Sequence, residues 1–276
     1  EDSIAIQGPM QDVEWHKLPP VHLLLAGLPC TGASLSGRAK NGLAHAEAHE
    51  TAGSLFVAFL NAIQTLRPAA VLLENVPPYQ NTVSMMVIRN VLSGLGYEVQ
   101  ETVLDGHALG ALERRDRLCM LAVSKGIEAD LGKLEPVRQR EASLQEVLEP
   151  HEAIASRYKA YSYLADKEAR DLASGKGFRR QLLDGSEDGL GTIGRGYAKA
   201  RSTEPFIRHP DDPSLSRLLT KAEHARVKTI PEELVHGLPE TVSHELLGQS
   251  VVFTAFRAVG RLVGNCLASL KRSDAI

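Results

Sequence analysis

The sequence has 276 residues, of which 43% are hydrophobic and 24% charged, and its formal net charge at pH 7 is −3. These values are ordinary for a globular protein of one large domain or two modest ones. Three cysteines are too few and too scattered for a disulfide framework or a zinc cluster, and no apolar run is long enough to span a bilayer. We therefore expect a cytoplasmic protein without a membrane partner. The net charge excludes a histone-like attraction to nucleic acid over the whole surface, but it allows a local basic groove.

Apolar runs typical of strands alternate with helical patterns in the first half of the chain. Strands are predicted at residues 21–26, 69–73, 97–104 and 117–123, the first two fully buried, with helices at 54–66 and 84–95. Strands separated by helices of this length indicate βαβ units, so we predict an α/β fold with a mostly parallel sheet. The chemistry of such folds lies at the carboxyl ends of the strands, and two of these ends carry Pro29-Cys30 and Glu74-Asn75.

The rest of the chain is less regular. Helices are predicted at residues 141–148 and 158–172, followed by a glycine-rich segment, and then at 220–227, 231–235 and 250–270. Between Lys176 and Arg208 there are seven Lys or Arg against four acids, with aromatic residues among them. We therefore predict three parts: an α/β domain over residues 1–125, an irregular and locally basic region over 126–216, and a segment over 217–276 that returns to the first part.

Three short motifs carry side chains suited to chemistry. Cys30 follows the first strand in a glycine-containing loop, where its thiolate could be a nucleophile, although a buried structural cysteine is equally compatible. Glu74 ends the second strand and could donate a proton or clamp a ligand by hydrogen bonds, or be an exposed loop acid. Arg115 and Arg117 would point to the same side of an extended segment and could converge on one anion, or form a solvated charge cluster.

The combination of motifs resembles the DNA (cytosine-5) methyltransferase family. The segments that match its motifs, in the family's order and approximate spacing, are Gly27–Ser34 (Pro-Cys loop), Leu73–Pro77 (Glu-Asn-Val), Glu113–Arg117 (Gln-x-Arg-x-Arg), Arg217–Pro231 and Leu247–Val252 (Gly-Asn-Ser-Val). The resemblance covers the chain from about Gly8 to its end. It implies a Rossmann-like fold that binds S-adenosylmethionine, with residues 126–216 as a target-recognition region.

The resemblance also assigns roles to residues. Cys30 would attack carbon 6 of a cytosine flipped out of double-stranded DNA, Glu74 would hold the ring, and Arg115 and Arg117 would orient the base and Glu74. The residues expected to contact S-adenosylmethionine are Pro29, Leu55, Gln249, Ser250 and Val251. The residues expected to contact DNA are Ser34, Arg179, Arg180, Arg195 and Lys199. RNA is the less favoured polymer, because the Cys-Phe-Thr sequence that we associate with the branch acting on transfer RNA is absent.

The sequence departs from the family pattern at several positions. Gln249 stands where Asn is usual, Glu113 and Thr31 where Gln is usual, and Pro9 where an acid usually meets the adenine. The Phe-x-Gly-x-Gly turn that cradles the cofactor is not found. We therefore expect either a truncated portion of a longer protein, a second chain that supplies the turn, or a catalytically silent DNA-binding relative. This chain alone is expected to bind S-adenosylmethionine weakly or not at all.

Metal binding is not predicted. His45 and His49 are four residues apart and could chelate zinc on a helix, but no third ligand has convincing spacing. Cys119 and Cys266 lie in apolar runs and are expected in the core.

Overall fold

The computed structural model describes residues 5–29, 54–175 and 179–273, with side chains up to residue 269. The chain forms two compact units. Unit 1 comprises residues 1–104, 116–134 and 259–276, and unit 2 comprises residues 105–115 and 135–258. The division into three parts at residues 125 and 216 stays a prediction.

Unit 1 is built on a four-stranded sheet. The strands of the first half of the chain are β1 (Leu23–Gly27), β2 (Ala70–Asn75), β3 (Tyr97–Asp105), β4 (Glu113–Arg114) and β5 (Asp116–Ser124). The sheet has the order β1-β2-β5-β3. Strands β1 and β2 are parallel, with Gly27 opposite Glu74, whereas β2 and β5 are antiparallel, with Glu74 opposite Cys119.

Two amphipathic helices cover this sheet, α1 (Leu55–Leu66) and α2 (Val83–Gly94). Helix α1 ends where Arg67 takes a left-handed conformation with φ 46°, and Pro68 cannot continue the helix. Helix α2 begins at Thr82, whose hydroxyl accepts a hydrogen bond from the Met85 N–H at 3.2 Å. The predicted strands and helices of this half are therefore confirmed to within a few residues at each end.

Two expectations about the sheet need correction. The described sheet is mixed rather than mostly parallel, because residues 106–115, which lead to β5, contain no crossover helix of the kind that a parallel connection needs. Strand β1 is not fully buried, since Leu25 is 63% exposed. In the described sheet β1 is an edge strand, whereas the central strand β2 is buried from Ala70 to Leu73 as predicted.

Unit 2 combines short strands with helices. Strand β4 pairs in parallel with β7 (Leu190–Gly191). A three-stranded sheet has the order β6 (Gln181–Leu183), β8 (Pro205–Arg208), β9 (Ser216–Arg217). The helices are α3 (His151–Ile154), α4 (Ser162–Ala173), α5 (Lys221–Val227) and α6 (Glu240–Gln249). Helix α7 (Phe253–Ser273) begins in unit 2 and continues into unit 1. Buried Tyr197 and Phe206 lie in the core of this unit.

Two helix predictions in this half were wrong, and one helix was missed. Residues 141–148 and 231–235 form only short 3-10 turns, at Leu144–Val147 and Glu232–Leu234. Helix α6 was missed because its pattern is short, follows Gly237 and Pro239, and carries little periodic apolar character. No single described helix is long and apolar enough to cross a membrane, although α6 and Phe253–Ser269 of α7 reach that length and apolarity as a bent pair.

Candidate functional site

Glu74 and Arg117 form an ion pair at the end of β2. Arg117 Nε lies 2.9 Å from Glu74 Oε1, and the side chains are 17% and 24% exposed, so solvent reaches the pair only in part. Glu74 also faces the end of β1, since a Cβ at Gly27 would lie 3.5 Å from Glu74 Oε2. The carboxyl ends of the two parallel strands therefore meet, as the sequence predicted, and the carboxylate lies beside the last residue of β1.

Asn75 fixes the loop that leads to Cys30. Its side chain is buried, its Nδ2 donates to the Leu28 carbonyl at 3.2 Å, and its Oδ1 accepts from the Val76 N–H at 2.9 Å. The amide thus ties the end of β2 to the residues that follow β1. Cys30 and Ser34 themselves lie outside the described residues. The role of Asn75 was not singled out from sequence, although it stands inside the Glu-Asn-Val motif.

Arg115 contacts partners different from those of Arg117. Its guanidinium is buried and donates to the carbonyls of Ile193 at 3.3 Å and Gly248 at 3.2 Å, and it lies 3.7 Å from the Glu113 carboxylate. The expected convergence of Arg115 and Arg117 on one group is therefore not seen. Arg115 lies between β4 and β5, so the alternation of side chains along one continuous strand does not apply to it.

The Gly248–Val251 segment comprises the last two residues of α6 and the two residues that follow it. Gln249 is exposed, and its Nε2 lies 3.4 Å from Glu245 Oε1. The Ser250 hydroxyl donates to the Leu247 carbonyl at 2.6 Å and so satisfies one of the last carbonyls of the helix. Val251 is half-buried. Within this segment the Gln249 side chain is therefore the polar group most open to a ligand.

The residues expected to contact S-adenosylmethionine divide between the two units. Pro29, which is exposed, and Leu55, which is half-buried at the start of α1, belong to unit 1, whereas Gln249, Ser250 and Val251 belong to unit 2. Apolar side chains suit an aromatic base such as adenine, and an amide suits the polar groups of the cofactor. The chemistry of these residues therefore fits part of the cofactor.

The basic residues expected to bind DNA have different surroundings. Arg195 pairs with Glu245 at 2.6 Å on the surface. Arg180 is half-buried, donates to the Ser216 hydroxyl at 3.2 Å and lies over the Phe206 ring, and its burial lowers the pKa of its guanidinium. Arg179 and Lys199 are exposed. The packing of Arg180 makes it the least accessible of the four.

Lys199 lines a cavity of about 550 Å³ in unit 2, together with Arg157, Lys159 and Glu240. Arg157 and Glu240 form an ion pair, whereas the ammonium groups of Lys159 and Lys199 have no such partner among the described residues. The cavity therefore carries excess positive charge. Lys159 was missed from sequence because it lies far from the basic stretch that begins at Lys176.

The Arg217–Pro231 motif is organised around a buried carboxylate. Arg217 is 1% exposed and makes two parallel contacts with Glu223, at 2.6 and 2.8 Å. Glu223 also accepts hydrogen bonds from the Thr220 N–H and the Glu149 N–H, each at 2.8 Å. This arrangement holds the start of α5. The Thr220-x-x-Glu223 spacing is a capping-box pattern that could have marked Glu223 from sequence, although not its contact with Glu149.

The cysteines of the described chain are poor nucleophiles. Cys119 is fully buried, as predicted, and burial together with the nearby Glu74 carboxylate raises the pKa of its thiol to about 12. Cys266 is half-buried rather than in the core. In the described part of the chain no group of three or more His, Cys, Asp or Glu could hold a metal ion, and His45 and His49 lie outside that part.

Comparisons with known proteins give a consistent result. The family model described as C-5 cytosine-specific DNA methylase matches residues 4–265. The type II methyltransferase M.MspI of Moraxella sp is 27% identical over 273 residues, which cover 97% of this chain and 62% of that relative. The DNA-cytosine methyltransferase of Escherichia coli K12 is 25% identical, with 95% of this chain and 64% of the relative covered. The chain thus spans less than two thirds of the length of these two relatives.

Solved structures share the fold. The Dnmt2 methyltransferase of S. pombe has a TM-score of 0.70 at 20% identity, covering 94% of this chain and 84% of that one. The Entamoeba histolytica methyltransferase EhMeth has a TM-score of 0.69 at 15% identity, covering 90% and 78%. The predicted α/β methyltransferase fold is therefore confirmed. Since the family model matches nearly the whole chain, the protein belongs to the C-5 cytosine-specific DNA methylase family.

Proposed function

We propose that this chain carries the catalytic and target-recognition parts of a DNA cytosine-5 methyltransferase, which transfers a methyl group from S-adenosylmethionine to carbon 5 of a flipped cytosine. The observation that carries the proposal is the Glu74–Arg117 pair, which lies at the end of β2 beside the end of β1 that leads to Cys30. The relatives' names as DNA-cytosine methyltransferases support the substrate.

Cys30 is the nucleophile of this proposal. Carbon 5 of cytosine is weakly nucleophilic, and addition of the Cys30 thiolate to carbon 6 turns the ring into an enamine with electron density at carbon 5. After alkylation, loss of the proton from carbon 5 and departure of the thiolate restore the aromatic ring. Bound S-adenosylmethionine supplies the electrophilic methyl group. Cys119, which is fully buried and has a raised thiol pKa, cannot take this role.

Glu74 holds the cytosine ring and Arg117 holds Glu74. A carboxyl group that contacts ring nitrogen 3 and the exocyclic amine makes addition at carbon 6 easier, because it stabilises the charge that develops on the ring. The 2.9 Å contact with Arg117 fixes the orientation of that carboxyl group. Asn75 keeps the loop before Cys30 attached to the same strand end.

DNA binding is assigned to unit 2. Carbon 5 cannot be reached inside a duplex, so the cytosine is flipped while the protein holds the surrounding backbone. The exposed cations Arg179, Arg195 and Lys199 suit contacts with phosphates. Arg180, packed on Phe206, contributes to the stability of the unit more than to the surface that meets DNA.

A methyl-transfer assay tests the proposal. The full-length protein is incubated with S-adenosylmethionine labelled in its methyl group and with either duplex DNA or transfer RNA, and the nucleosides are then separated by mass spectrometry. Labelled 5-methyldeoxycytidine, lost in Glu74→Gln and retained in Cys119→Ser, is the expected result. Label in RNA alone would contradict the assigned substrate. DNA binding without any label would favour the alternative, a silent relative that binds DNA.

A further inference from the structure

A buried ion pair joins β4 to the end of α5. Glu113 and Lys228 are both 0% exposed, and Lys228 Nζ lies 2.9 Å from Glu113 Oε2. The other carboxylate oxygen of Glu113 accepts a hydrogen bond from the Ile193 N–H at 2.8 Å. Glu113 therefore has one oxygen on a cation and the other on a backbone amide, all within unit 2.

The negative charge of Glu113 lies between two buried positive charges. Arg115 and Lys228 are two buried cations of the same cluster, and Glu113 contacts both, at 3.7 and 2.9 Å. Burial, together with these cations and His244, lowers the pKa of His224 well below its usual value, so this neighbouring imidazole is neutral. A neutral glutamine at this position would take the shared carboxylate away from two buried cations.

The same cluster holds the backbone on both sides of Gln249. Arg115 donates to the Gly248 carbonyl at 3.2 Å, and Lys228 Nζ donates to the Ser250 carbonyl at 3.3 Å. Gly248 packs directly on the turn at Gly194, where an added Cβ would lie only 2.4 Å from backbone atoms. The Gly248–Ser250 backbone thus accepts hydrogen bonds from two buried cations, and both cations contact Glu113.

We propose that the Glu113–Lys228 pair positions the backbone of the segment that carries Gln249. The inference rests on the proposed function only in taking Gln249 as a cofactor contact. When the pair is broken, Lys228 loses its 2.9 Å contact with the carboxylate, and the hydrogen bond that it donates to the Ser250 carbonyl is weakened.

Three variants separate positioning from general stability. E113Q takes the shared carboxylate away from both Arg115 and Lys228, and K228Q leaves Glu113 opposite Arg115 alone. E113Q/K228Q keeps the net charge of the three groups and replaces the pair by two neutral amides that can bond to each other. The control is K221Q, because Lys221 is half-buried on the same helix but donates to the Leu238 carbonyl. Hydrogen exchange of peptides that cover residues 193–195 and 246–252 is measured, together with titration of S-adenosylmethionine and the kcat and KM of methyl transfer.

The expected result is faster exchange confined to those two segments in E113Q and K228Q, and about a tenfold rise in the Kd or KM for S-adenosylmethionine with a smaller change in kcat. In the double variant, the exchange rates of the two segments and the affinity for S-adenosylmethionine should return most of the way to the wild-type values. K221Q should behave as the wild type. Faster exchange throughout unit 2, or a double variant that is as impaired as the worse single one, would overturn the proposal. Hydrogen exchange is measured without substrate, so it tests the positioning of the Gly248–Ser250 backbone even if no methyl transfer is found.

Discussion

Removal of the Glu223 carboxylate is predicted to destabilise unit 2 strongly. Glu223 is fully buried and makes two contacts with Arg217, at 2.6 and 2.8 Å, while Arg217 is itself 1% exposed. In Glu223→Ala the guanidinium would remain in the interior without a counter-charge. Breaking a buried pair by removing one partner costs about 3–5 kcal/mol.

The same substitution also removes part of the cap of helix α5. Glu223 and Thr220 form a capping box at the start of α5, with the Thr220 hydroxyl accepting from the Glu223 N–H at 3.1 Å and the Glu223 carboxylate accepting from the Thr220 N–H at 2.8 Å. Glu223→Ala removes the hydrogen bond from the Thr220 N–H to the Glu223 carboxylate, which lowers the free energy of unfolding by about 1 kcal/mol. The expected total of about 4–6 kcal/mol is a large part of the ~5–15 kcal/mol by which domains are stable.

Urea unfolding followed by circular dichroism, with hydrogen exchange to separate the two units, measures this loss. The matched control is Glu232→Ala, which removes a carboxylate 2.7 Å from Arg226 in a pair whose side chains are 33% and 47% exposed. Exposed pairs contribute about 0–1 kcal/mol, so the control should change stability little. If Glu223→Ala cost no more than Glu232→Ala, the reasoning from burial would be refuted.

Two further predictions concern charge and pH. His224 and His244 are buried with their Nδ1 atoms 2.9 Å apart, and burial lowers the pKa of each. Below about pH 6.5 the unfolded chain binds protons that the folded pair does not, so stability should fall as pH decreases. The limiting slope is about 1.4 kcal/mol per pH unit for a histidine that stays neutral in the folded chain. Urea midpoints between pH 7.5 and 5.5 measure this, and a stability that rises on acidification would contradict it. At the cavity in unit 2, Lys159→Ala and Lys199→Ala should each weaken DNA binding and reduce the slope of log K against log salt by about one. Lys125→Ala, an exposed lysine of unit 1, should leave the slope unchanged; slopes equal to wild type for both cavity variants would exclude phosphate contacts there.

The sequence predicts the parts of this protein that depend on local patterns. Strand β2 is buried because its residues are continuously apolar, and helix α1 stops at Arg67 because Pro68 follows. The meeting of Glu74 with the end of β1 follows from the rule that parallel strands end at one edge. That rule needs no knowledge of distant contacts.

The predictions that were wrong or missing concern residues whose surroundings are set by contacts with residues far away in the sequence. Arg115 differs from Arg117 in its partners because the chain leaves one sheet and enters another between them, and alternation within a short segment cannot show this. Lys228 has the sequence pattern of a surface lysine at a helix end, but it is completely buried and contacts Glu113 and Ser250, which lie far from it in the sequence. Arg180 was predicted to contact DNA because it lies in a basic stretch, but its guanidinium packs over the Phe206 ring.

Covalent trapping tests the central claim most directly. A duplex in which the target cytosine is 5-fluorocytosine is incubated with the full-length protein and S-adenosylmethionine. Fluorine at carbon 5 cannot leave as a proton does, so the thiolate stays bound to carbon 6. We predict a complex that resists denaturation, with the nucleotide on Cys30 by peptide mapping, and its loss in Cys30→Ser but not in Cys119→Ser. Equal trapping by Cys30→Ser, or none by the wild-type protein in the presence of confirmed methyl transfer to DNA, would contradict the account.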